Sequence, residues 1–190
     1  MVDSLAIDAD ARIEDVVVAG FTVLGGLQPG KMATLPPRIQ SLAPNEPTAL
    51  FAFDQPGLPG WEIKGSGWGT TDTRGEIFMR KGTSLYFADS KVVGGEPATG
   101  TILSPPFIAR GSKLTFLANG HGEKNYYQLV DAATGAELRK APVPEKTGPF
   151  VKITWDLAGL QGRRVRFVAV DNDNRDAYAW LAFDEIVLQP

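Results

Sequence analysis

A chain of 190 residues with 43% hydrophobic and 22% charged side chains can build one well-cored domain and is ordinary in composition for a globular protein. A formal net charge of −3 without a long basic run gives no electrostatic footprint for nucleic acid, and no apolar run is long enough for membrane insertion. The lack of cysteine excludes disulfides, thiolate metal sites and a cysteine nucleophile, while 21 glycines and 14 prolines predict many turns rather than long helices.

The chain starts "MVDSLAIDAD", acidic where a signal peptide needs a basic region and then an apolar one, so no signal peptide is read here. Residues 1–48 read as an N-terminal extension or linker, ending in the turn "PNEPT", and residues 49–190 as the folded module. From Ala49 onward, ten short β-rich runs are separated by turn residues. They are "ALFAFD", "GWEIKG", "EIFMR", "SLYFAD", "GTILS", "KLTFLAN", "YYQLVD", "FVKITWDL", "RVRFVAVD" and "AWLAFDEIVL". Leu114, Phe116 and Ala118 share a face, as do Val165, Phe167 and Ala169, and such alternation marks half-buried antiparallel strands. The last run predicts Leu181, Phe183 and Val187 on one face and Ala182, Asp184 and Ile186 on the other. One helical turn is expected in "WDLAGLQG", with Asp156 as N-cap and Gly162 as stop. The fold class is all-β, an antiparallel β-sandwich of jelly-roll type.

Three blocks carry a family resemblance. "FAFDQPGLPGWEIKGSGWG" is similar to the opening of β-sandwich modules attached to bacterial sugar hydrolases, notably fructan-cleaving ones. "ATGTILSPPFIARGSKLTFLANGHGEKNYYQLVDAATGAELRKA" resembles their next block, and "WDLAGLQGRRVRFVAVDNDNRDAYAWLAFDEIVL" their closing block. The resemblance covers about residues 51–188 and implies a galactose-binding-like jelly roll, non-catalytic, binding carbohydrate or bracing an adjacent catalytic domain of a longer, extracellular or cell-surface protein. It also implies a structural calcium where the first and last strands meet, with Asp54 and Asp184 or Glu185 as ligands. The chain departs from the pattern at Ala177, Tyr178, Ala179 and Trp180, where the family carries Gly-Trp-Gly-His, so the family's ligand contacts do not carry across.

The residues themselves disfavour catalysis. The single histidine, His121, lacks a nucleophile or orienting carboxylate in any recognisable motif. Asp171, Asp173 and Asp176 in "DNDNRD" are too local for a glycosidase pair, which spans roughly 5 to 10 Å across a cleft. They are also wrongly spaced for an EF-hand, and read as solvated turn residues. Aromatic rings cover the C–H faces of sugars while polar neighbours take the hydroxyls. Trp61 and Trp155 are expected in the core and Trp68 on an exposed bend between two glycines. Two loops meeting at one end of the sandwich would gather Asn119, His121, Asn125, Tyr127, Arg139, Asp171 and Trp180 into a ligand site. Ordinary edge packing, in a structural or protein-interaction domain with no sugar site, is the alternative.

Overall fold

The computed structural model describes residues 46–73 and 84–190. Within them lie the strands β1 (Thr48–Phe51), β2 (Glu62–Gly65), β3 (Gly69–Asp72), β4 (Tyr86–Asp89), β5 (Gly100–Leu103) and β6 (Phe107–Ile108). There follow β7 (Lys113–His121), β8 (Tyr126–Asp131), β9 (Glu137–Pro142), β10 (Lys146–Asp156), β11 (Arg164–Asp171) and β12 (Trp180–Gln189). The expected strand "EIFMR" and residues 1–45 of the N-terminal extension lie outside the described residues, while Thr48, its last residue, already opens β1. No helix in the described residues is long and apolar enough to cross a membrane.

The strands form two antiparallel sheets. One has the order β10-β7-β12-β4-β3, with β1 also paired to β12; the other has β2-β5-β11-β8-β9, with β6 also paired to β11. Alternation explains how they stack. Leu114, Phe116 and Ala118 of β7 and Val165, Phe167 and Ala169 of β11 turn inward into one core, with Leu181 and Phe183 of β12. A second cluster of Phe87, Leu117, Phe150, Trp180 and Ala182 comes from the alternate positions of the first sheet. The architecture is the sandwich that the turn-rich, alternating sequence predicts.

Three details correct the sequence reading. The pairing of β12 with β7 shifts register between Asp184 and Val187, where Glu185 takes φ 46°. This bulge reverses the alternation, so Ile186 and Leu188, not Val187, join Leu181 and Phe183 in the core. "WDLAGLQG" holds turns rather than a helix: an Asp156 Oδ1 atom accepts the Ala158 N–H at 2.8 Å, and Leu160 N–H reaches Leu157 O. Trp68 is only 5% exposed instead of lying on an exposed bend. At Gly67, φ is 102° and a Cβ would lie 2.2 Å from Ser90 O, so only glycine lets the chain drop the indole inward at this point. Trp61 and Trp155 pack against or within the core, as expected.

Candidate functional site

One end of the sandwich gathers the β7–β8 hairpin, the β11–β12 loop, the β4–β5 loop and the approach to β10. Asn125 ties them together from the hairpin. Its side chain donates to His121 O at 2.9 Å and accepts the N–H groups of Asn172 and Asp173 at 2.8 and 3.1 Å. Gly122 leaves no room for a side chain, since a Cβ there would sit 2.6 Å from Asn125 Nδ2. Its N–H donates to Glu145 Oε1 at 2.8 Å, which brings in the segment before β10. Glu96 of the β4–β5 loop accepts the Ala179 N–H at 3.3 Å. Two loops thus meet as the sequence suggests, and two further segments join them.

His121 is the centre of the cluster. Its Nδ1 lies 3.4 Å from Glu145 Oε2, and its ring stands edge-on to Tyr178 at 5.1 Å and to Trp180 at 6.3 Å. Lys91 Nζ sits 4.0 Å from the centre of the Trp180 ring. Arg175 grips Asp173 through two nitrogens, and its Nη2 also donates to Tyr178 O at 3.1 Å. That grip holds the Asp173 carboxyl below the usual carboxylate range. Tyr178 is 64% exposed and adopts φ 55°; Glu145, the other close neighbour of His121, adopts φ 51°. Bulky side chains avoid this left-handed region, at a cost of roughly 1–2 kcal/mol, unless their surroundings enforce it. Both residues that flank the imidazole are therefore held in strained conformations. The result is an open aromatic ring beside an imidazole, a carboxylate and a guanidinium.

The predicted residues divide. His121 borders this surface, whereas Trp180 packs beside it in the second buried cluster, 5% exposed, and does not present its ring to a ligand. Asn125 and Asp171 lie beneath it, 1% and 2% exposed, where they position the loops and do not reach solvent. Tyr127 is fully buried, its hydroxyl donating toward Asn119 O and Ala182 O at 3.0 and 2.8 Å, so it cannot meet a ligand. Asn119 is buried too, with Gly148 O and the Gly120 N–H as partners. Arg139 is engaged elsewhere: it donates to Asp156 O and Ala158 O, at the end of β10 away from His121. The expectation that the acids of "DNDNRD" are solvated holds for Asp176 and fails for Asp171 and Asp173, which are buried. Sequence reasoning missed Tyr178, Glu145, Arg175, Lys91 and Glu96. Nothing local marks a positive φ at a tyrosine or a glutamate.

At the first and last strands, the Asp184 carboxyl is pushed up to about 7 by burial, and the Glu185 and Asp54 charges push the same way against the Ser84 hydroxyl and the Glu185 N–H. The three carboxylates of the expected calcium site share one electrostatic neighbourhood. Among the described residues, however, no three His, Asp or Glu side chains converge as a ligand set. The Ser84 Oγ is buried without a well-formed hydrogen bond, one spare oxygen beside Asp184.

No family model and no curated protein matches the chain. Solved structures share its fold at low identity. The K2 cleaved adhesin domain of Lys-gingipain matches with TM-score 0.53 and 10% identity, covering 76% of this chain and 100% of that domain. The K1 cleaved adhesin domain of Lys-gingipain from Porphyromonas gingivalis W83 matches with TM-score 0.52 and 14% identity, covering 75% and 97%. TmCBM61, solved in complex with β-1,4-galactotriose, matches with TM-score 0.52 and 14% identity, covering 73% and 94%. The chain is a jelly-roll β-sandwich, with a fold shared by adhesin domains and by a carbohydrate-binding module.

Proposed function

We propose that this chain is a non-catalytic carbohydrate-binding module of a larger exported protein and that the His121 loop cluster is its site. The observation that carries this reading is Tyr178, an aromatic ring two-thirds exposed, held at positive φ by Arg175 and set beside His121 and Glu145. The ring would take the C–H face of a sugar, and the Glu145, Arg175 and His121 side chains its hydroxyls. The exported setting, and the docking beside a hydrolase, rest on the resemblance of the three sequence blocks. A calcium ion held by Asp54, Asp184 and Glu185 belongs to the same proposal; it would neutralise the buried Asp184 charge.

Docking on an adjacent domain without sugar binding is favoured by a different surface, a groove of about 310 Å³ lined by Leu50, Phe107, Ile108 and Leu188 near the opposite end of β12.

Affinity electrophoresis through polysaccharide gels tests the sugar reading. Wild type is expected to be retarded by at least one polysaccharide, and Tyr178→Gly is expected to run free. Glycine relieves the backbone strain, so the variant should melt at or slightly above the wild-type temperature, with a gain of about 1 kcal/mol. Retardation of both proteins alike would remove Tyr178 from the site. Trp180→Ala is the poorer probe, because Trp180 is 5% exposed in the second cluster and its truncation costs about 3–5 kcal/mol of stability.

A further inference from the structure

Asp171 ends β11 with its side chain in the inward row that Val165, Phe167 and Ala169 begin. It is 2% exposed, and its Oδ2 has no hydrogen-bond partner. Across the sheet it pairs with Gly100, where an added Cβ would meet Lys64 O at 2.7 Å, Ser66 O at 2.8 Å and Trp68 Cδ1 at 3.2 Å. The Trp68 Nε1 is also buried and unpartnered. Asp171 Oδ2 and Trp68 Nε1 are thus two buried polar atoms left unsatisfied in the core. Such groups are costly when charged and tolerable when neutral.

Asp171 also stands where the site's loops join. The groups that act on it are the Ser90 hydroxyl at the start of the β4–β5 loop, the Asn125 amide of the hairpin, and the amide and carboxylate of Asp173 in the β11–β12 loop. Tyr127 of β8 also lies within its electrostatic reach, and the Arg175 guanidinium is bound to the neighbouring Asp173 carboxylate. No cation is among the groups that act on Asp171 itself; the guanidinium of Arg175 is engaged by Asp173. Ser90 Oγ in turn accepts the Leu181 N–H at 3.0 Å, and Asn125 holds the N–H groups of Asn172 and Asp173.

We propose that Asp171 is a positioning residue that makes the loop-end site pH-sensitive: neutral, it keeps the loops assembled, and ionised, it loosens the β11–β12 loop that carries Arg175 and Tyr178. Ionisation creates a buried charge facing the Asp173 carboxylate, whose guanidinium partner Arg175 is already engaged, and the charge gains water by opening the segment that begins at Asn172. Burial pushes the carboxyl up to about 6, with Asp173 adding to the rise and the Ser90, Asp173 N–H and Asn125 contacts opposing it. The assembled loops thus hold the proton more firmly than the open chain does. Assembly is favoured below that value and weakens as pH rises through it.

The effect on ligand affinity rests on the function proposed above; the effect on the loop does not. Amide hydrogen exchange at Asn172 and Asp173, corrected for the intrinsic pH dependence of exchange, reads the loop directly. In wild type, protection is expected to fall about tenfold between about pH 5 and about pH 8, in step with the carbon resonance of the Asp171 carboxyl. In Asp171→Asn, a neutral isostere, protection is expected to stay flat and high. Equal profiles in the two proteins, or an Asp171 carboxyl that titrates without any change in loop exchange, would overturn the proposal; the second result needs only the wild-type protein. Affinity-gel retardation should weaken several-fold over the same range in wild type and stay constant in Asp171→Asn. If no polysaccharide retards the protein at either pH, the sugar reading falls while the exchange profile still decides the role of Asp171.

Discussion

Phe183→Ala is expected to lower the stability of the sandwich by about 3–5 kcal/mol. Phe183 is fully buried on β12 and meets rings from both sides of the core: Phe167 at 4.9 Å, Trp61 at 5.4 Å, Phe53 at 5.7 Å, Trp68 at 5.8 Å and Tyr127 at 6.4 Å. Phe167 comes from the opposite sheet, so this cluster joins the two layers. Large, stiff neighbours collapse poorly into a vacated ring volume, and the cavity cost adds to the lost burial. Against a typical domain stability of about 5–15 kcal/mol this is a large fraction. Urea unfolding should show a markedly lower midpoint with little change in slope. A loss below about 1 kcal/mol would mean that the two sheets are held together elsewhere.

Asp184→Asn is expected to have an effect of similar size, visible as a change in pH dependence. The folded carboxyl is pushed up to about 7, well above its value in the unfolded chain. Folding therefore takes up a proton, and the contribution is most favourable below about pH 4. It turns into a penalty as pH rises through the folded value, reaching on the order of 4 kcal/mol above it. Wild type should accordingly unfold at lower urea concentration at about pH 8 than at about pH 5, and the asparagine variant should lose most of that slope. Asp171 contributes with the same sign and leaves part of the slope in place. Calcium added at about pH 8 is expected to raise the wild-type Tm, because the ion would neutralise the buried charge, and to leave Asp184→Asn unmoved. A wild-type Tm indifferent to both calcium and a chelator would remove the calcium proposal, while the pH slope would stand. A slope unchanged by the substitution would mean that Asp184 is not the group responsible.

Period and composition made the fold legible. "RVRFVAVD" and "KLTFLAN" alternate cleanly because one face of each packs between the sheets, and both appear as strands with the predicted faces inward. β9, "ELRKAP", escaped notice because it is an edge strand with no fully buried residue, so little hydrophobic pattern is imposed on it. The reversal of faces in β12 arises from a bulge at Glu185, and no residue type announces a bulge in "FDEIVL". The two glycines around Trp68 suggest an exposed bend, whereas Gly67 serves to bring the chain close to Ser90 and bury the ring.

The site was legible only in its location. The meeting of the His121 and Asp171 loops followed from hairpin geometry, but which side chains reach the surface depends on backbone dihedrals and long-range hydrogen bonds. Tyr178 is presented outward by a positive φ and an Arg175 contact within its own loop, and Glu145 arrives from a segment 24 residues beyond His121. Asp171, read as a ligand contact, is instead the buried neighbour of three loops, a role that depends on Ser90 far away in sequence.

The central claim is that the loop end around His121 and Tyr178 receives a carbohydrate. Amide and aromatic NMR shifts recorded while an oligosaccharide of a retarding polysaccharide is added test it most directly. The expected result is a saturable set of shifts confined to His121, Glu145, Arg175 and Tyr178 with their immediate neighbours, abolished in Tyr178→Gly. Saturable shifts centred elsewhere, around Trp61 or the groove lined by Leu50 and Phe107, would contradict the claim, as would a spectrum unmoved by every oligosaccharide tried.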